Sequence, residues 1–245
     1  MEKKFIYLDY HSTTPMDERV FSAMTPYFLN QFGNPGSYHS LGWQAQSAVD
    51  EARIKVAKAI NAHPTEIIFT SGATESTNMA LKGLLQGGKC QVITSSIEHK
   101  ATLSTLSSLD PNSVKHTLIK PTCDGFVDEQ DILEAMNNDT RLVSLFMVHN
   151  EVGSINDIST IAKAVKERGA LFHCDAAQAL GRVAIDCQKM DIDLMSLSGH
   201  KVYGPKGVGC LYIRRSIMDK LLPLIHGGCQ QGCKRSGTLN VPGIV

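Results

Sequence analysis

Residues 191–209 read DIDLMSLSGHKVYGPKGVG, an apolar run that breaks into a polar tetrapeptide and then a glycine-rich loop. The apolar part, residues 192–197, has the length of a buried strand. Ser198, His200 and Lys201 follow it, so a hydroxyl, an imidazole and an amine stand at the end of a strand. Burial lowers the pKa of a lysine and frees its amine as a nucleophile, which Schiff-base chemistry requires. The alternative is an ordinary surface lysine, since lysine is seldom buried.

Similar apolar runs recur along the chain and alternate with segments of helical periodicity. Gly72 and Gly169 interrupt these segments, and Asp128 with Asp131 resembles a helix cap. Apolar strands separated by helices predict an α/β fold with a mostly parallel central sheet and helices on both faces. The predicted strands are residues 5–8, 66–70, 91–95, 142–148, 170–174, 192–197 and 208–213, and the predicted helices lie near 20–28, 43–60, 73–85, 129–136 and 158–168.

Composition excludes several classes of protein. The 245 residues carry 24 basic and 24 acidic side chains, so the formal net charge of zero gives no reason to expect a nucleic acid or an anionic membrane as partner. No apolar run approaches the roughly 20 residues of a bilayer span, and the N-terminus does not read as a signal peptide. Seven scattered cysteines favour free thiols in a reducing compartment, and we expect a cytoplasmic protein without a metal site.

Polar residues follow the predicted strands at what would be one edge of the sheet, where α/β proteins bind ligands. The turn at Gly72 places free N–H groups at a helix start, which suits a phosphate. Lys201 supplies an amine for an aldehyde, and Asp175 supplies a carboxylate for a protonated ring nitrogen. Phosphate, pyridinium, phenol and aldehyde together describe pyridoxal 5′-phosphate (PLP). The remaining candidates are Ala73 and Thr74 with Ser198 and His200 for the phosphate, His99 for stacking on the ring, and Gln178 for the ring hydroxyl.

The chain resembles the cysteine desulfurases, PLP enzymes of the class V aminotransferase group. The resemblance rests on motifs that run nearly end to end and in the family's order. They are YLDY (7–10), TTP (13–15), FGNP (32–35), TSGATES (70–76), EHK (98–100), NEVG (150–153), HCDAAQ (173–178), SGHK (198–201) and RSGT (235–238).

The resemblance implies a role for each site residue. Lys201 is the Schiff-base lysine and proton shuttle, and His99 stacks on the ring and assists acid–base steps. Asn150 lies near the ring hydroxyl and the substrate carboxylate, and Thr238 reaches the phosphate of the partner subunit in a homodimer. The implied reaction converts L-cysteine to L-alanine and leaves a persulfide, whose sulfur passes to an iron–sulfur scaffold or a tRNA-thiolation acceptor. Asp175, Gln178, Ala73, Thr74, Ser198 and His200 keep the cofactor roles inferred above.

Two departures from the family's pattern bear on the expected activity. The family continues past the position of Val245 with most of a smaller domain and the loop of the catalytic cysteine, so we expect the small domain to be largely absent. We expect residues 1–15 to belong to that small domain and residues 16–245 to form the PLP-binding domain. The segment from Gly227 to Lys234 carries Cys229 and Cys233, where the family is richer in glycine. Alternatives are a selenocysteine lyase or other class V enzyme, or a fragment that binds PLP and dimerises without turnover.

Overall fold

The structure is a computed structural model that describes residues 6–245. Seven strands form one sheet in the order β1-β7-β6-β5-β4-β2-β3. The pairs β2–β3, β2–β4, β4–β5 and β5–β6 are parallel, whereas β7 is antiparallel to both β1 and β6. The strands are β1 (Ile67–Thr70), β2 (Cys90–Ser95), β3 (Val114–Ile119), β4 (Thr140–Phe146), β5 (Leu171–Asp175), β6 (Leu194–Ser198) and β7 (Gly209–Ile213).

Helices cover both faces of this sheet, as predicted. Two separate apolar clusters show the two layers: one joins α2, α5 and α6 to one face, and the other joins α3 and α4 to the opposite face. Strands buried on both faces read as continuous apolar runs, which explains why periodicity located most of them. The helices are α1 (Glu18–Leu29), α2 (Ser40–Ala59), α3 (Ala73–Leu84), α4 (Lys100–Ser107), α5 (Glu129–Ala135), α6 (Ile158–Glu167) and α7 (Val241–Ile244).

Two predictions about strands were wrong. Residues 6–8 of the proposed N-terminal strand lie in no regular element, and Phe5 falls outside the described residues. The edge strand β3 was missed because Lys115 and His116 are exposed, so its sequence lacks the apolar run of a central strand. Among residues 6–245, no helix is long and apolar enough to cross a bilayer.

The turn between β1 and α3 depends on close approach of the backbone. Gly72 precedes α3 with a φ of 153°, a conformation that favours glycine. Gly209 at the start of β7 lies against it, because a Cβ built on Gly209 would be 2.6 Å from the Cα of Gly72. This contact fixes the start of α3 beside the end of β6, where Ser198 lies. The sheet and α3 therefore meet at the edge that carries the predicted site.

Candidate active site

A cavity of about 700 Å³ opens at the carboxyl ends of the parallel strands. It is the place where ligands bind in open α/β sheets. Residues separated by more than 120 positions in the sequence meet there because β1, β2, β4, β5 and β6 all end at this edge. Nine of the ten predicted site residues line it: Ala73, Thr74, His99, Asn150, Asp175, Gln178, Ser198, His200 and Lys201.

Lys201 follows β6 in a single helical turn, Gly199–Lys201. Its Nζ donates a hydrogen bond to the carbonyl of Ser12 at 2.8 Å and another to the carbonyl of His11. Burial lowers the pKa of Lys201, and the nearby guanidinium of Arg182 lowers it further, against the opposing effect of the Asp175 carboxylate. The amine is therefore shifted toward the neutral, nucleophilic form.

Asp175 is the last residue of β5, and its side chain is buried at the cavity wall. The N–H of Ala177 donates to its Oδ1 at 3.0 Å. Burial raises the pKa of Asp175, while the Ala177 N–H and the positive charges of His99 and Lys201 act in the opposite direction. A buried carboxylate with a single protein donor among the described residues is suited to a cationic partner.

Gln178 and Arg182 form a pair next to Lys201. The Gln178 Nε2 donates to the carbonyl of His11 at 2.7 Å, and its Oε1 accepts from the Arg182 guanidinium. Arg182 also donates to the carbonyl of Lys201 at 3.3 Å. Since Arg182 donates to the amide oxygen, the orientation of the Gln178 amide is set, and its NH2 group donates to His11.

His99 caps the start of α4 and projects at the cavity. Its Nδ1 accepts the N–H of Ala101 at 3.1 Å, which assigns the ring proton of the neutral form to Nε2. Asn150 also lines the cavity, and its main-chain carbonyl is 2.8 Å from Nδ1 of His11.

Thr74, Ser198 and His200 surround the start of α3. No side chain caps this helix at Gly72, so its first N–H groups face the cavity. Free N–H groups at a helix start attract an anion such as a phosphate. His200 is tied to the Thr13 hydroxyl through Nδ1 at 3.1 Å, and burial lowers its pKa, as do the neighbouring lysines 201 and 206.

The loop of residues 226–238 is held next to this helix start. The Gln231 side chain pairs with both backbone groups of Phe69 on the edge strand β1, at 2.7 and 2.8 Å. Arg235 forms an ion pair with Glu75, and Glu75 accepts the N–H of Ser71 at 2.8 Å. Thr238 is exposed and does not line the cavity of its own chain, so its predicted phosphate contact stays a prediction.

Cys229 and Cys233 form a disulfide within the same loop. The expectation of free thiols is wrong for this pair, because a four-residue spacing and left-handed backbone at both positions bring the two thiols together. The other five cysteines are free, and four of them are buried. Burial raises the pKa of Cys174 well above its usual range and that of Cys210 to about 12, which leaves both thiols protonated.

Sequence reasoning missed the contribution of the N-terminal segment. The carbonyls of His11 and Ser12 hold the Lys201 amine, and Thr14 bonds to the carbonyl of His200 at 2.9 Å. In the sequence this segment is a polar turn after Asp9 without helical or strand periodicity, so nothing in its pattern indicated a contact with Lys201. His11, Ser12 and Thr14 contact residues that follow β5 and β6 at the site, while the proposed boundary of a small domain at residue 15 stays a prediction.

The model of the family described as aminotransferase class V matches residues 6–245. The chain belongs to this family. Its members are PLP-dependent enzymes, so the resemblance drawn from the motifs is confirmed at the level of the family and of its cofactor. Solved structures of NifS-like proteins share the mostly parallel sheet with helices on both faces.

Individual relatives carry a narrower description. The chain is 49% identical to a mitosomal cysteine desulfurase of Trachipleistophora hominis and 47% identical to a cysteine desulfurase IscS of Rickettsia felis, over 98% of its length in both cases. It superposes with a TM-score of 0.95 on a structure titled SspA in complex with cysteine, at 41% identity, and of 0.94 on a NifS-like protein, at 40% identity. It covers 70% and 66% of those two structures.

The chain spans only part of its curated relatives, 56% of the Trachipleistophora protein and 60% of the Rickettsia protein. The activity, substrate and partners of the whole relatives are therefore proposals for this chain.

The described residues fit PLP. An uncapped helix start provides N–H donors for a phosphate, with Ser198 beside it. A buried carboxylate at Asp175 suits a protonated ring nitrogen, and the pKa of Lys201 is lowered toward a reactive amine. These three groups lie in one cavity whose size accommodates a small cofactor with its substrate.

Proposed function

We propose that this chain binds PLP and acts as a cysteine desulfurase, which converts L-cysteine to L-alanine and passes the sulfur on as a persulfide. The observation that carries the proposal is the convergence of Lys201, Asp175 and the start of α3 on one cavity. The relatives described as cysteine desulfurases, and the SspA structure with cysteine, support the choice of substrate.

Each side chain has a proposed place around the cofactor. Lys201 would attach to its aldehyde carbon and Asp175 would pair with its ring nitrogen. When bound, PLP withdraws electrons from the substrate carbon and so makes the bonds at that carbon easier to break. The other contacts would be the ring face for His99, the ring hydroxyl for Gln178 and Asn150, and the phosphate for Ala73, Thr74, Ser198 and His200.

The chain's own residues would handle the protons. Nζ of Lys201, with its lowered pKa, takes and returns a proton at the substrate carbon, because a general base works best when its pKa is near the working pH. His99 presents Nε2 to the cavity, since Nδ1 is occupied by the Ala101 N–H. Asp175 stays ionised when a cation faces it, because opposite charge offsets the cost of its burial.

We also propose two partners for this chain, a second copy of itself and a protein that accepts the sulfur. Thr238 is exposed, and Phe28, Phe32 and Trp43 expose more than half of their surface, which is typical of an interface with a second copy. A homodimer would bring Thr238 to the phosphate of the neighbouring site. The sulfur acceptor would be an iron–sulfur scaffold or a tRNA-thiolation protein. We propose a cytoplasmic location, and the mitosomal relative makes an organelle the alternative.

The test measures both products of the reaction. Protein loaded with PLP is given L-cysteine and a thiol reductant, and alanine and sulfide are quantified. We expect equal amounts of the two products, loss of both in Lys201→Ala, and normal amounts in Lys189→Ala, which changes an exposed lysine that does not line the cavity. Bound PLP without either product would reject the desulfurase assignment and favour a binding module. Faster turnover of selenocysteine than of cysteine would favour a selenocysteine lyase.

A further inference from the structure

Glu98 is a buried acid directly behind the wall of the cavity. It precedes His99 in the connection from β2 to α4, and only 5% of its surface is exposed. The N–H of Phe146, at the end of β4, donates to its Oε1 at 2.9 Å. Its Oε2 has no hydrogen-bond partner among the described residues. Glu98 does not itself line the cavity, whereas His99 and Phe146 do.

In the part of the chain that the structure describes, no ion pair compensates a charge on Glu98. None of the ion pairs in residues 6–245 includes it. Phe146 is the register partner of Asp175 on β5, so a second carboxyl lies on the neighbouring strand. The other titratable groups nearby are Cys174 on β5 and His99, and His149 follows β4, where its Nε2 pairs with the Ile97 carbonyl at 3.0 Å.

We infer that Glu98 is a positioning residue that ties the His99 connection to the end of β4 as a neutral acid, so that it adds no second negative charge beside Asp175. The inference deepens the proposed function and rests on it for the role of His99. It assigns a task to a residue that contacts neither substrate nor cofactor.

Geometry favours the neutral form over a carboxylate. A buried carboxylate with one hydrogen bond and no ion pair would carry an uncompensated charge, which costs far more than one orphan hydroxyl group. A protonated Glu98 keeps its carbonyl oxygen as the acceptor for the Phe146 N–H and leaves only Oε2 unpaired. Burial raises the pKa of Glu98 well above its usual range, and the charge of Asp175 acts in the same direction.

The role of a neutral Glu98 follows from the two structural elements that it connects. One end joins Phe146, whose ring packs edge-on against His149 at 5.1 Å. The other end is the backbone that sets His99 as the cap of α4. An ionised Glu98 would perform the same tether but would compete with Asp175 for the positive charge of a ligand. A neutral Glu98 therefore holds the connection in place without changing the negative charge that Asp175 presents to a ligand.

The test compares Glu98→Gln with Glu98→Ala. Glutamine is neutral and keeps the acceptor for Phe146, so we expect PLP retention and turnover within about threefold of wild type. Alanine removes the acceptor, and we expect at least a tenfold loss of turnover. Infrared spectra at neutral pH, recorded with and without PLP, should show the carbonyl band of a protonated carboxylic acid in the wild type that Glu98→Gln lacks.

A pH series supplies a readout that a merely structural role would not change. Because the folded-state pKa is raised, the wild type loses stability as pH rises above the unfolded value toward the folded one. The melting temperature of Glu98→Gln minus that of wild type should therefore increase from pH 5 to pH 8. Absence of the infrared band, or equal damage by Gln and Ala, would overturn the inference. The band does not depend on turnover, so its result is separate from that of the sulfide assay.

Discussion

The ion pair between Arg235 and Glu75 is the structural link between the 226–238 loop and the start of α3. Nε of Arg235 is 2.8 Å from Oε1 of Glu75, and the exposed fractions of the two side chains are 19% and 11%. Burial acts to raise the pKa of Glu75, but the hydrogen bonds from Arg235 and Ser71 together with the charge of Arg235 outweigh it and lower the pKa. Replacing Arg235 by methionine removes the cation and leaves the carboxylate largely buried.

The expected cost follows from that burial. Breaking a buried pair by removing one partner costs about 3–5 kcal/mol, and the remaining exposure places this pair at the lower end, about 3 kcal/mol. Restoring neutrality with Glu75→Gln in the same chain should recover part of the loss, so a double-mutant cycle should give a coupling of about 2 kcal/mol. Urea unfolding at pH 7, followed by circular dichroism, measures each free energy of unfolding.

A matched control exists in α1. Arg19 pairs with Asp17 through two hydrogen bonds of similar length, 2.9 and 2.8 Å, but the Arg19 side chain is 91% exposed. Arg19→Met should cause no measurable loss of stability, because solvent screens an exposed pair. If Arg235→Met destabilised the chain no more than Arg19→Met, or if the cycle showed no coupling, the claim that this pair holds the start of α3 would be refuted.

Three further predictions concern buried groups and the disulfide. Asp175→Asn should lower turnover about a hundredfold and weaken PLP retention on dialysis, because an amide cannot make the charged bond to a protonated ring nitrogen; wild-type retention would contradict the assigned role. Burial lowers the pKa of His173 to about 3 from 6.5, so stability should fall by about 5 kcal/mol as pH drops from about 6.5 to 3, and His173→Asn should show a shallower acid slope; an unchanged slope would contradict this. Alkylation of unfolded protein should modify five cysteines without reductant and all seven with it, because Cys229 and Cys233 are bonded; seven modified without reductant would contradict the disulfide.

Most of the fold was predictable because its strands are buried on both faces. The strands β4, β5 and β6 are mostly apolar and buried along nearly their whole length, and the strand-end polar residues were identified from their place after those runs. The reversed direction of β7, which lies antiparallel between β1 and β6, was not predictable, since periodicity reports burial and not strand direction. The strand β3 escaped detection because an edge strand with exposed Lys115 and His116 looks like a loop in sequence.

In the site, too, features set by local sequence were predictable, whereas contacts between distant residues were not. Lys201 and Asp175 each follow a recognisable strand, so local sequence was enough to predict their place. The contact from Lys201 to the carbonyl of Ser12 joins residues 189 positions apart and uses a main-chain atom, which carries no side-chain signal. The orphan oxygen of Glu98 likewise depends on how β2 and β4 pack together, and a sequence pattern does not encode that.

The central claim is that Lys201 is the residue that binds PLP covalently. Its most direct test is to add PLP, reduce the protein with borohydride and map the modified peptide by mass spectrometry. We expect the pyridoxyl group on the peptide that contains Lys201, and no modification of Lys206, the other lysine that lines the cavity. Modification of Lys206 or of another lysine, or no modification at all, would contradict the account of this site.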